Sequence, residues 1–409
     1  MTLAAAGADA ATVLVELGAV LLLLAAAGRQ AHRLGLSPIP LYLLAGLLVG
    51  EGSVVELEAT RGFIEIGSQI GIVLLLLMLG LEYTGRELVA GLHSNRAAGL
   101  VDLVANATPG VIAGWLLGWG TTAAIFLGGI TYVSSSGIVS KVLADLGRVG
   151  NRETPAVLSI LILEDLAMAL FLPVSVGLLV ATGVVDTLVD IAIAALAVAV
   201  AFAITLRFGD RLSRVVFVSS DELLLLSILG AALLVAGTAE QVHAPAAVGA
   251  LLVGIALSGP AADSARVVLT PLRDLFAAVF FLFFGLELDP ATVVPTLPAA
   301  AGLAAVTAVA KVFTGSWAAR RAGIGLPGRV RAGTVLIARG EFSIIIAGLA
   351  LAGGLEPDLG PLAAGYVLIL ATVGPLLTRY ADPLAFAVQR AWSDRHGRPG
   401  PGLDPKPGR

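Results

Sequence analysis

YVSSSGIVS (132–140) and IARGEFSII (337–345) decide the fold of this chain. Each sets polar residues and a glycine in the middle of an apolar run long enough to be a helix. The two interruptions, Ser134–Ser136 and Arg339–Glu341, lie 205 residues apart. Nearly the same spacing relates AGLLVG (45–50) to GALLVG (249–254) and GLEY (80–83) to GLEL (285–288). Leu, Val and Gly are abundant here, so either apolar match alone is weak; the shared offset is the stronger signal. Breaking a helix inside a bilayer frees backbone amides and carbonyls, which is tolerated only where they line a cavity or hold an ion. Breaks at corresponding positions of two repeats are the best sequence pointer to a transport site. The serines alone also fit an unbroken helix in which they bond back to i−4 carbonyls; their match to Arg339–Glu341 favours the break.

Composition supports a membrane chain. Of 409 residues, 57% are hydrophobic and only 13% charged, and the mean hydropathy is +0.96. A soluble domain could not cover so much apolar side chain with polar surface, and a disordered chain is far more polar. The class that remains is an all-α polytopic membrane protein. With no cysteine, thiol chemistry is excluded. The four histidines show no metal-ligand spacing, and the basic residues form no nucleic-acid surface. No secretory signal is expected, because the first ten residues carry Asp9 and no Lys or Arg. No cofactor is called for.

Apolar runs between polar breaks give thirteen candidate spans, over about 11–27, 38–51, 63–82, 97–118, 121–145, 154–181, 187–207, 221–239, 244–259, 272–287, 293–320, 328–353 and 361–390. All but three of the 25 Lys and Arg then fall in loops and tail on one side; the exceptions are Arg61, Lys311 and Arg339. That bias assigns the crowded side to the cytoplasm, with the N-terminus outside and the C-terminus inside. Equivalent spans stand seven apart, an odd number, so the repeats are inverted. The tail 393–409 is basic and rich in Pro and Gly and reads as a short disordered end.

Five ionisable residues stand deep in spans: Glu164, Asp165, Lys311, Arg339 and Glu341. Each costs at least ~2.5–3.5 kcal/mol at mid-bilayer, so their default reading is functional. Glu164 and Asp165 lie about nine residues past Pro155, roughly 14 Å along the helix, too deep to reach water. A carboxylate in a dry site is either protonated or paired with a cation, and that mutual exclusion is what exchanging protons for cations requires. Lys311 needs an anionic partner, and Glu164 is the obvious one, either as a fixed buried pair or as one that loosens during transport. Arg339 and Glu341 either neutralise each other or cap half-helix dipoles. Asn106, which the offset maps to Lys311, and Asp102 are each a candidate minor site residue. Asp102 is expected nearer the cytoplasmic end, in water. Glu82 and Glu287 end their helices at the interfaces.

RQAHRLGLSPIPLYLLAGLLVGEG (29–52), LMLGLEY (77–83), SSSGIVSKVLADLG (134–147), LEDLAMALFLP (163–173), FLFFGLELDP (281–290) and ARGEFSIII (338–346), in that order, resemble the landmarks of the monovalent cation:proton antiporter-2 family, with its Kef and NapA types. The resemblance covers essentially residues 11–390. It implies an NhaA/NapA-like antiporter fold and a Na+ or K+/proton antiporter of the cell membrane (a prokaryotic inner membrane). In it Asp165 is the essential cation- and proton-binding residue, Glu164 its paired position, Lys311 the basic residue of the antepenultimate helix, and Ser134, Ser135 and Ser136 the first crossover. It further implies a homodimer whose core (about 97–181 and 293–390) moves as an elevator against a scaffold (about 11–82 and 221–287), with 187–207 as linker helix. Kef types usually carry Gln before the aspartate and a C-terminal nucleotide-sensing domain; NapA types carry a second Asp. Here Glu164 and a short tail stand instead, so any regulation calls for a separate subunit. A gated K+ efflux route without obligatory proton coupling is the second reading. An intramembrane enzyme lacks its dyad or HExxH motif, and a passive scaffold would carry five buried charges to no purpose.

Overall fold

The computed structural model describes residues 2–34, 37–49, 60–82, 96–180, 220–241, 246–257, 260–383 and 385–386. Fourteen α-helices occupy them: α1 (Thr2–Leu34), α2 (Ile39–Val49), α3 (Arg61–Glu82), α4 (Arg96–Leu116), α5 (Gly120–Tyr132), α6 (Ser136–Asp145), α7 (Thr154–Val180), α8 (Asp221–Gln241), α9 (Ala246–Ala256), α10 (Pro260–Leu286), α11 (Pro290–Arg321), α12 (Leu326–Val335), α13 (Glu341–Ala352) and α14 (Leu359–Arg379). No strand occurs among them. Eight helical segments are long and apolar enough to cross a membrane. Helices lie on twelve of the thirteen expected stretches; the expected linker helix over 187–207 and the tail 393–409 lie outside the described residues.

Three stretches differ in extent; α1 runs Thr2–Leu34 where 11–27 is expected. α10 begins at Pro260 rather than 272, running through Pro271 with Asp263 in its first turn. Pro260 suits the first turn, where its missing N–H has no helical partner anyway. Arg266 then donates to the Leu81 carbonyl, so the early turns of α10 dock on the end of α3. α14 ends at Arg379 with further helical residues at 381–383 and 385–386, and 387–390 lie outside the described residues.

Both expected interruptions are real. α5 and α6 are separated by extended backbone at Val133 and Ser135, and α12 and α13 by residues 336–340. The repeat is also written in the packing. A Cβ on Gly110 of α4 would lie 2.3 Å from the Leu127 carbonyl oxygen of α5, and one on Gly315 of α11 would lie 2.7 Å from the Ala332 oxygen of α12. Both members of that pair are displaced by 205 residues. In the other helices Gly46 of α2 meets Gly285 of α10, and Gly254 of α9 meets Gly80 of α3, each with a carbonyl oxygen under 2.5 Å from a built Cβ. Gly254 therefore plays the part of Gly46, an offset of 208, so the AGLLVG/GALLVG register is wrong by about one helical turn.

α2, α3, α9 and α10 pack on one another, while α4 through α7 and α11 through α14 form a second set of mutual contacts. Most of their buried apolar side chains join in one core, and a smaller cluster that includes Ala45, Ile64 and Leu282 stands apart with Val20 and Leu24 of α1. Close approach of this kind leaves no room for a side chain. We expect Gly110→Ala to destabilise the protein by about 1–3 kcal/mol through overpacking. Gly302→Ala, in α11 where nothing lies within 4 Å, should be neutral. Thermal unfolding in detergent measures both.

Candidate functional site

The site assembles where the two interrupted helices cross. At the first break Ser134 donates its backbone N–H to Glu164 Oε2 and its hydroxyl to the Leu336 carbonyl at 2.8 Å. Ser135 N–H bonds to the Ala338 carbonyl at 2.9 Å, tying one break to the other. Ser136 opens α6 at an intermediate depth of burial.

Four helix ends meet here, and two charged side chains satisfy them. The C-terminal ends of α5 and α12 present carbonyls without helical partners. Arg339, fully buried, donates to Leu336 O at 3.1 Å, Ile337 O at 3.0 Å and Thr131 O at 2.9 Å. A guanidinium at two helix C-termini is electrostatically favourable. The N-terminal ends belong to α6 and α13. Ser135 caps α6 by accepting from Ile138 N–H at 3.3 Å, and donates its hydroxyl to Glu341 Oε2 at 2.9 Å. Glu341 stands in the first turn of α13, where a carboxylate is favourable. Of the two expected roles, capping is the one the geometry supports.

Beside the crossing lies a cluster of buried charge. Lys311 Nζ sits 2.6 Å from Glu164 Oε1, the pairing expected from sequence. It also sits 2.8 and 2.9 Å from the two oxygens of Asp102. Asp102 is 0% exposed, which corrects the expectation that it is solvated. It accepts further bonds from Thr314 Oγ1 at 2.8 Å and from Asn106 Nδ2 at 2.9 Å. Asn106 thus belongs to the cluster as a support of Asp102. The Tyr132 ring lies 5.4 Å from the Lys311 nitrogen, another cation-stabilising contact. Asp165 is 1% exposed and points about 100° around α7 from Glu164. Glu287 is half-exposed and pairs with Arg61 at 3.0 Å; the Glu82 side chain lies outside the described ones.

Sequence reading left Asp102 as a minor candidate expected in water, and missed Thr314 and Tyr132. A signal existed for the first two: Asp102 and Asn106 share a helix face at i,i+4, and Thr314 follows Lys311 by three.

The charges do not balance. Asp102, Glu164 and Asp165 carry a formal −3 when ionised, and Lys311 returns only +1. Arg339 and Glu341, at the helix ends, are of opposite sign and leave this sum unchanged. A dry interior does not hold net charge of −2 cheaply. Such a cluster favours added positive charge, as a cation or as protons.

Outside the membrane-buried region a second network holds the helix ends. Arg331 donates to Glu153 and Asp382, and Arg148 to Asp382 at 3.1 Å and to the Thr378 carbonyl at 2.7 Å. Burial pushes the Glu153 carboxyl up, but the hydrogen bonds from Arg331, its own backbone and Asn151 hold it below the ordinary range.

An all-helical membrane chain of two repeats, with interrupted helices crossing beside unbalanced buried charge, belongs to the class of secondary transporters. More narrowly, the chain is a member of the sodium/hydrogen exchanger family: the model described as "Sodium/hydrogen exchanger, transmembrane" matches residues 19–380. It is 35% identical to the K(+)/H(+) antiporter subunit KhtU of Bacillus subtilis, over 89% of this chain and 92% of that one. It is 29% identical to the ammonium/H(+) antiporter subunit AmhT of Alkalihalophilus pseudofirmus, over 91% and 94%. The fold resembles the sodium proton antiporter MjNhaP1 of Methanocaldococcus jannaschii, with TM-score 0.63 and 18% identity over 92% of this chain and 99% of that one. The protein is a multi-pass cation/proton antiporter and not an enzyme.

Proposed function

We propose that the chain exchanges a monovalent cation, Na+ or K+, for protons across a prokaryotic cell membrane, with Asp165 alternately holding the proton and the cation. The observation that carries this is the buried cluster at the crossing: Asp102 and Glu164 share the Lys311 amine, with Asp165 next to Glu164 on α7, beside freed backbone at two helix breaks. Glu164 is the second cation ligand, and the freed groups at Ser134–Ser136 complete the coordination. Lys311 keeps its bonds to Asp102 and loosens the one to Glu164 when a cation arrives. Arg339 and Glu341 hold the crossing and do not themselves carry ions.

The two sets of packed helices supply the moving parts. α4–α7 and α11–α14 form the core, α1–α3 and α8–α10 the scaffold and dimer surface, and the core slides as an elevator within a homodimer. Thirteen spans, the N-terminus outside and the C-terminus in the cytoplasm follow from the distribution of Lys and Arg. KhtU and AmhT are named as antiporter subunits, and we infer a separate cytoplasmic regulatory subunit here too.

The test is coupling. In everted vesicles with an imposed proton gradient, adding Na+, K+ or Li+ should dissipate the gradient in a cation- and pH-dependent way. Cation flux with no matching proton movement would reject antiport in favour of a gated efflux route.

A further inference from the structure

The four buried charges ride on three helices: Asp102 on α4, Glu164 and Asp165 on α7, Lys311 on α11. At their arginine-rich ends, the side that the distribution of basic residues assigns to the cytoplasm, these same helices enclose a cavity of about 400 Å3. Arg152, just before α7, and Arg321, closing α11, both line it, as does the Ser159 hydroxyl. Ala98, Pro155 and Ala318 form an apolar wall.

Nearby Arg148 and Arg331 are held by Asp382 and Glu153. Among the described residues, neither Arg152 nor Arg321 forms an ion pair. The Arg321 guanidinium stacks 5.1 Å from the Trp317 ring, a contact that orients the group without consuming its N–H donors. Two guanidinium forks and a hydroxyl on one cavity suit a tetrahedral oxyanion. The apolar wall adds a second requirement. On the same helices, α4 and α7, Leu100, Leu103, Leu158 and Ile162 are exposed, as on a surface that a membrane chain presents to lipid. A ligand that uses both surfaces has a phosphate head and an apolar body.

We infer that this cavity is a phosphate site in which Arg152 and Arg321 hold the headgroup of an anionic phospholipid, bracing α7 against α11. Bound there, the phosphate sets the separation of the helices that carry Asp165 and Lys311, so exchange responds to the anionic lipid content of the membrane. A soluble phosphate compound would engage the same two arginines and leave the wall unused.

Thermal unfolding of the full-length detergent-purified chain separates these sources. Phosphatidylglycerol should raise the wild-type midpoint by about 2–4 °C at saturation, and phosphatidylcholine should not. The shift should vanish in Arg152→Gln/Arg321→Gln and persist in part in Arg152→Lys/Arg321→Lys, which keeps the charge but not the fork. An arginine-dependent shift with inorganic phosphate that phosphatidylglycerol does not exceed keeps the site and reassigns its ligand to soluble phosphate. A wild type that responds to neither, or a Gln/Gln variant that responds as fully as wild type, overturns the proposal. Should Gln/Gln fail to fold, salt decides on wild type alone: the shift must fade between about 0.1 and 0.5 M NaCl, and a salt-insensitive shift refutes the arginine site.

Discussion

Asp165→Asn should leave everted vesicles unable to dissipate a proton gradient on addition of Na+ or K+, with activity at the level of vesicles lacking the protein. The substitution is close to isosteric, so α7 and its neighbours keep their packing. What it removes is the ability to exist in two charge states. An amide cannot take a proton and release it again, and its neutral oxygen holds a cation far less strongly than a carboxylate. Protein level and thermal midpoint serve as the controls for folding. Glu164→Gln provides the contrast. Glu164 meets Lys311 and the first helix break, and Gln retains one oxygen for those partners. Weakened exchange with a displaced pH profile is expected there, not its abolition. Wild-type exchange in Asp165→Asn would remove Asp165 from the mechanism, and equal loss in both variants would shift the essential role to the pair.

The two breaks were legible in sequence because a charged or triple-serine interruption stands out against apolar text, and because the interruptions share an offset. The glycine contacts that repeat with the same offset, Gly110 with Gly315, were hidden among 49 glycines. Nothing in a sequence distinguishes a glycine under a crossing backbone from one such as Gly302 that faces open space. The AGLLVG match slipped by about a turn for a related reason: a helix rich in Leu, Val and Gly resembles itself at its own period.

Asp102 was misread for a different physical cause. It follows Arg96 by six residues, about 9 Å of helix, and that distance along the axis suggested access to water. Depth from solvent is set by what packs around the axis, and here the α11 helix covers the position with Lys311 and Thr314. Lys311 was paired correctly with Glu164 because charge demanded some partner. Its second partner needed the tertiary packing of α4 on α11, which no local pattern encodes. Arg339 was legible only as a choice between two roles; the carbonyls it caps come from two chain segments some 200 residues apart, Thr131 on one side and Leu336 and Ile337 on the other.

Removing Lys311 should damage stability more than any other single change in the cluster, and removing a carboxylate as well should repair part of that damage. With Lys311→Met the tetrad goes from a formal −2 to −3, and Asp102 and Glu164 lose the amine that lies within 2.9 Å of both. Breaking a buried pair by deleting one partner costs about 3–5 kcal/mol, because the other charge stays buried without compensation. Much of that cost is the stranded carboxylate and not the lost bond itself. Asp102→Asn in the same chain removes one stranded charge while its amide oxygen can still accept from Thr314. The double variant should therefore recover about half of the loss, a coupling of roughly 1.5–2.5 kcal/mol between contacting residues. Thermal and denaturant unfolding of the four members of this cycle measure it. If the two substitutions prove additive, Asp102 and Lys311 do not share charge in the folded protein. A neutral Lys311→Met single variant would mean that protonation of a carboxylate already compensates for the missing amine. In that event the amine is replaceable for folding, and its place in the cycle rests on exchange activity alone.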